Sequence, residues 1–176
     1  AALRLVENAG ATAQIWKTGH SHMKKRMKEL KAPLAGEMSG HIFIADDYLG
    51  FDDAIYAAVR VITQMVKGGQ SITEFMDSLP EQHATPELRI DCPDTVKFDS
   101  MEKIRAHVLS GHDAADVNSI DGVRVRSGDG WWLIRASNTE AALVARAEAA
   151  DRTVLDRLIG DIETTLAAAG LDWKRP

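Results

Sequence analysis

Residues 127–149, SGDGWWLIRASNTEAALVARAEA, decide the fold of half the chain. Trp131 to Arg135 and Ala142 to Ala149 both read as strands. Short connections precede them (Ser127 to Gly130) and join them (Ala136 to Ala141). A parallel pair needs a crossover of a dozen or more residues, so these strands must run antiparallel. Upstream, residues 117–126 read as a third strand and residues 87–91 as a fourth. Residues 99–109 read as a helix, with Asp99 and Glu102 in capping-box relation. Downstream, Asp151 opens a helix with Val154, Leu155, Leu158, Ile159, Ile162 and Leu166 on one face, and Gly170 ends it. This order predicts a small α+β domain, an antiparallel sheet covered by two helices.

Further upstream the grammar differs, and Pro80 to Pro86 reads as the linker between the two. Residues 1–8 resemble the end of a helix, and Ala13-Gln14-Ile15-Trp16 a short strand. Ser21 is a candidate cap for a basic helix over 22–31, which Pro33 ends. Strands are expected at 34–36 and 41–45. A long helix capped by Asp52 or Asp53 follows to about residue 67, then a short one from Ser71 to Leu79. Alternating strands and helices predict an α/β domain with a mostly parallel sheet, its first strand lying before residue 1. The expected domains are therefore residues 1–82 and 83–176.

Charge follows the same division. Residues 1–80 hold 9 Lys+Arg and 9 Asp+Glu, and residues 81–176 hold 12 and 17, so the net −5 lies in the second part. That balance argues against nucleic acid or an anionic membrane as partner. No apolar run approaches the roughly 18 residues of a membrane span, and the first residues read as amphipathic helix rather than signal peptide. The single cysteine, Cys92, excludes an internal disulfide framework and makes a reducing cytoplasm the default setting.

Two stretches carry chemistry. In the first, an apolar strand delivers Arg135, and Ser137, Asn138 and Thr139 follow. A guanidinium matches phosphate oxygens with two prongs, and hydroxyls and backbone N–H groups of a tight loop can join it. The alternative is a polar hairpin whose side chains satisfy their own backbone. In the second, Gly36-Glu37-Met38-Ser39-Gly40-His41, a carboxylate, a hydroxyl and an imidazole alternate between two glycines. On an extended backbone all three would point the same way, a set suited to sugar hydroxyls. The alternative is a surface turn. His20 and His22 lack a third metal ligand nearby in sequence, so no metal site is expected. Asp46, Asp47, Asp52 and Asp53 read as turn and cap acids, Lys24 to Lys28 as a solvated face, and Trp131–Trp132 as core and sheet face.

Taken in order, Trp16-Lys17-Thr18-Gly19-His20-Ser21, Gly36 to His41, Gly50-Phe51-Asp52-Asp53-Ala54 and Arg135-Ala136-Ser137-Asn138-Thr139-Glu140 resemble the α-D-phosphohexomutases. The resemblance covers nearly the whole chain and is closest to the phosphomannomutase/phosphoglucomutase branch. The sister phosphoglucosamine mutases usually carry Gln at Met38 and Gly at Asn138. Ala141 stands where the family usually has proline. The resemblance implies most of the third domain and all of the fourth domain of a four-domain enzyme. It implies that Glu37, Ser39 and His41 grip ring hydroxyls, that His20 and Lys17 line the cleft, and that Arg135, Ser137, Asn138 and Thr139 hold the phosphate not being transferred. The phosphoserine and the Mg²⁺ loop belong to the first and second domains, so no residue here is expected to be catalytic. Hexose 1- and 6-phosphates are the implied substrates, and a hexose 1,6-bisphosphate the implied intermediate and activator.

Overall fold

The computed structural model describes residues 2–173 and 175. It divides into two compact units, Ala1–Pro80 and Glu81–Pro176. None of the described helices is long and apolar enough to cross a membrane.

The second unit is built on a six-stranded antiparallel sheet. Its strands are β3 (His83–Ala84), β4 (Leu88–Asp91), β5 (Val117–Asn118), β6 (Val123–Ser127), β7 (Gly130–Ala136) and β8 (Ala142–Ala149). The short connection expected between the last two makes them neighbours, with Arg135 opposite Val144 and Ala136 opposite Leu143. β8 also pairs with β4 and, nearer its end, with β3. Helices α5 (Asp94–Gly111) and α6 (Arg152–Ala168) pack on the sheet. Inward residues alternate along the strands, Val123 and Val125 on β6 and Trp132 and Ile134 on β7, and all four are fully buried. They meet Ile104 and Val108 of α5 and Leu158, Ile162 and Leu166 of α6. Trp131 faces outward, with the Arg124 guanidinium 4.5 Å above its ring. The predicted α+β arrangement is the one formed.

Three details differ from expectation. The α5 helix starts at Asp94, five residues before the expected 99, so Asp99 and Glu102 lie inside it and cap nothing. The single strand expected over 117–126 is two, folded back through residues 119–122. Asp121-Gly122 supplies that turn, with Gly122 at φ +78°. At α6, by contrast, the Asp151 carboxylate accepts from the Val154 N–H as a cap should.

The first unit contains α1 (Ala2–Asn8), α2 (His20–Leu30), β1 (Leu34–Gly36), β2 (Ile42–Ile44), α3 (Ala54–Gly68) and α4 (Ile72–Asp77). The helix end read from residue 1 is seen from Ala2; Ala1 lies outside the described residues. The mostly parallel sheet is not formed among the described residues. β1 and β2 pair antiparallel, Ala35 opposite Phe43, because the five residues between them cannot hold a parallel crossover. Residues 13–16 are not a strand: a strand exists through its neighbour's hydrogen bonds, and none is paired with this segment. The N-cap of α2 is Gly19, at φ +123°, and Ser21 lies inside the helix. Asp53 caps α3 through the Tyr56 N–H, and Ser71 and Glu74 form a capping box at α4. Buried apolar residues are few: Met27, Phe43, Ile44 and Ala57. α3 leaves Ile55, Val59, Ile62 and Val66 exposed.

Candidate functional site

In the first unit the site grows from the turn between β1 and β2. The Gly40 N–H donates to the Glu37 carbonyl at 3.0 Å, and the Glu37 N–H to the His41 carbonyl at 2.9 Å. The backbone is thus a closed turn rather than the extended run that the alternation of Glu37, Ser39 and His41 had implied. The turn brings Ser39 to Glu37, while the His41 side chain turns to Asp52 and His20. Gly40 takes φ +92°, a conformation that glycine adopts without penalty. The Ser39 hydroxyl donates to Glu37 Oε2 at 3.3 Å, and Glu37 Oε1 accepts from the Gly19 N–H at 2.9 Å. That second bond ties the turn to the start of α2 and sets His20 beside it.

His20 and His41 meet edge to face, their ring centroids 4.5 Å apart. Between them lies Asp52. Its Oδ2 is 2.7 Å from His41 Nδ1 and 3.8 Å from His20 Nε2, and its Oδ1 accepts from the Ile42 N–H. An ionised carboxylate can only accept, so His41 Nδ1 carries the proton of this bond, and Nε2 is left as the ring's second site. The hydrogen bond from His41, aided by the Ile42 N–H, holds the Asp52 carboxyl below the usual carboxylate range. Asp52 was expected to be a turn or cap acid. Asp53 is the cap, and Asp52 belongs to the histidine pair. His20, His41 and Asp52 offer ligand atoms within 4.8 Å of one another. His22 is not among them; with Lys17 it lines a shallow concavity along with Trp16, Lys25 and Arg26.

In the second unit the site is the loop from β7 to β8. Arg135 leaves the end of β7 half-buried, and its Nη1 donates weakly to the Ala136 carbonyl at 3.5 Å. Ser137 is 8% exposed. Its Oγ accepts from the Glu140 N–H at 3.1 Å and more weakly from the Thr139 N–H at 3.4 Å. Two backbone donors expected to face a ligand are thereby turned inward, as the hairpin alternative had it. The half-buried Arg135 guanidinium and the exposed Asn138 and Thr139 side chains are left for a ligand, while Ser137 is buried. At the loop exit the Cys92 N–H donates to the Ala141 carbonyl at 3.1 Å.

Three supports of this loop were not legible in the sequence. Arg89 pairs with the Glu140 carboxylate. Lys97, 5% exposed, reaches the loop from below. Gly122 lies against its base: a Cβ there would stand 2.3 Å from the Ile134 carbonyl oxygen and 2.7 Å from Arg135 Cα. Of these only Gly122 had a local signal, the Asp-Gly pair of a hairpin turn.

Comparison with known proteins agrees with this architecture. Residues 1–83 match the model of the phosphoglucomutase/phosphomannomutase alpha/beta/alpha domain III, and residues 87–164 that of the C-terminal domain of the same proteins. A phosphomannomutase/phosphoglucomutase of Pseudomonas putida is 43% identical over 162 residues, which is 92% of this chain and 35% of that protein. One from Pseudomonas syringae is 39% identical over 172 residues, 98% of this chain and 37% of that protein. The crystal structure of a phosphoglucomutase/phosphomannomutase family protein from Burkholderia thailandensis superposes with a TM-score of 0.85 at 36% identity, over 97% of this chain and 36% of that one. The chain thus spans about a third of the length of the relatives it matches. It belongs to the phosphoglucomutase/phosphomannomutase family, matching that family's domain III and its C-terminal domain.

Proposed function

We propose that this chain is the sugar- and phosphate-recognising part of a phosphomannomutase/phosphoglucomutase. In this reading residues 1–82 recognise the sugar through Glu37, Ser39, His41 and His20, with Lys17 at the edge. Residues 83–176 hold a phosphate through Arg135, Ser137, Asn138 and Thr139. The substrates are hexose 1- and 6-phosphates, with mannose and glucose the favoured sugars. The observation that carries the reading is the ordered match of both units to one family, with each motif gathered on a tight, internally bonded loop.

The chemistry is that of the whole protein. A free sugar hydroxyl attacks the phosphorus of a phosphoserine, its proton leaves, and the serine oxygen departs, giving a hexose 1,6-bisphosphate. After the sugar turns end over end, the other phosphate returns to the serine by the same exchange. Such transfer depends on positioning and charge neutralisation, and this chain supplies the positioning. A fixed phosphate clamp and a grip on central hydroxyls serve both orientations.

The Mg²⁺ that the family uses does not fit here. Among the described residues the one grouping close enough to share a cation is His20, His41 and Asp52. Two imidazoles and one carboxylate suit a borderline transition metal, whereas Mg²⁺ prefers an octahedron of oxygens. Its ligands and the phosphoserine are assigned to the first and second domains of the whole protein. A cytoplasmic setting completes the reading and rests on the one cysteine, Cys92, which is buried and unpaired.

The test is an assay with glucose 1-phosphate, glucose 1,6-bisphosphate and Mg²⁺. The 176-residue chain is expected to give no turnover. The whole protein is expected to convert mannose and glucose phosphates alike, and Glu37→Gln in it should lower kcat/KM about 10–100-fold, as loss of a hydrogen bond to a charged group does. Turnover by the chain alone, or a whole protein that prefers glucosamine 6-phosphate, would sink this assignment.

A further inference from the structure

Lys97 is the most deeply buried charged side chain near the phosphate loop, and nothing in the exchange of phosphate calls on it directly. It lies in the first turn of α5, 5% exposed. Its Nζ donates to the Ser137 carbonyl at 2.9 Å and to the Glu140 carbonyl at 2.9 Å, and lies 2.6 Å from Asp94 Oδ1. Three oxygens thus satisfy the three hydrogens of the ammonium group. Burying a charge is costly unless it is paired and hydrogen-bonded in this way. Two of the three partners are backbone carbonyls of the same loop.

Peptide planarity gives that arrangement a consequence. No described peptide bond is cis. In a planar trans peptide the C=O and the following N–H point in opposite directions. With the Ser137 carbonyl drawn down to Lys97, the Asn138 N–H is turned up, away from Lys97. That N–H makes no hydrogen bond within the loop, whereas the Thr139 and Glu140 N–H groups both turn to Ser137 Oγ. An outward N–H three residues after the half-buried Arg135, with a cation one peptide behind it, is an anion-binding arrangement.

We infer that Lys97 is a positioning residue for phosphate recognition: it holds the 137–140 loop so that the Asn138 N–H faces the anion, and it places a positive charge beneath the site. Lys97 does not touch the ligand. The Asp94 carboxylate, 71% exposed, orients the ammonium group from the solvent side. The inference rests on the phosphate-loop reading above and deepens it.

The experiment is a titration of the ¹⁵N-labelled 176-residue chain with inorganic phosphate at constant ionic strength, followed through the Asn138 amide resonance. The unmodified chain should show a saturable Asn138 shift, and Arg135→Ala should lose it. Lys97→Met should weaken phosphate binding about tenfold, the scale of one hydrogen bond to a charged group, and Lys97→Arg should restore part of it. Phosphate binding that leaves the Asn138 amide unmoved, or a folded Lys97→Met chain that binds as tightly as the original, overturns the role of Lys97 while Arg135→Ala still reports on the loop. If the unmodified chain and Arg135→Ala are equally blind to phosphate, the loop reading and the role of Lys97 fall together. Should Lys97→Met not fold, the Asn138 shift in the unmodified chain and the affinity of Lys97→Arg decide.

Discussion

The two units carry loops of similar tightness on supports of very different depth. In the second unit the 137–141 loop springs from two long central strands, β7 and β8, backed by fully buried Trp132, Ile134, Leu158 and Ile162. In the first, the 37–41 turn springs from two three-residue strands, in which Phe43 and Ile44 are the buried residues. α3 is amphipathic, yet its apolar stripe of Ile55, Val59, Ile62 and Val66 faces outward. That stripe therefore adds nothing to the buried core of the first unit. The lesson is that loop geometry and scaffold stability are separable. Glu37 is positioned by hydrogen bonds to its neighbours, whereas Arg135 is positioned by a core.

The largest expected effect tests that contrast directly. Ile134→Ala should destabilise the second unit by about 2–5 kcal/mol in urea unfolding, the usual cost of emptying a packed core site. Ile62→Ala on α3, at 60% exposure, should change stability by no more than about 0.5 kcal/mol. Equal costs at the two positions would mean that the α3 face is covered and would end the comparison.

Next comes Gly122→Ala. The added methyl would meet the Ile134 carbonyl and Arg135 backbone at a φ of +78°, so about 1–3 kcal/mol is expected from overpacking alone. Arg135 must shift with it, so phosphate affinity should fall as well. An unchanged affinity would show that the base of the loop is softer than it looks.

The smallest effect is a pH dependence in the first unit. The folded-state value of Asp52 lies below the unfolded one, chiefly because of the His41 hydrogen bond. Its contribution is therefore complete above its ordinary value of about 4 and is lost as pH falls through the depressed folded value. Carboxyl ¹³C titration should show Asp52 ionising below the exposed carboxylates, and His41→Ala should move it back up. A midpoint unchanged by His41→Ala would sever the pair.

What was legible in the residues was what is local. The α6 helix could be read end to end because its cap, its apolar period and its terminal glycine all lie within twenty residues. β7 and β8 could be paired because the loop between them is too short for any other arrangement. Pairing across distance could not be read. Residues 13–16 have the composition of a strand but, among the described residues, no strand pairs with them. Asp52 looked like any acid before a helix, and only folding sets it against His41, eleven residues away. Lys97 lay outside the expected helix altogether, and no period announces a buried lysine. The motifs located both loops, but not the side chains that hold them in shape.

The ties on residues 137–141 also bear on the entropy of binding. A free loop must be ordered when its ligand arrives, at about 1–2 kcal/mol of lost freedom for each backbone residue fixed. Here Lys97, Ser137, Arg89 and the Cys92 N–H have already fixed the five residues. On the proposed role of Arg135, an anion arriving there would be relieved of about 5–10 kcal/mol of ordering, which folding of the second unit has already met. On the proposed phosphate-binding role, a loop ordered in advance would hold its anion in one orientation without an ordering cost on each binding event.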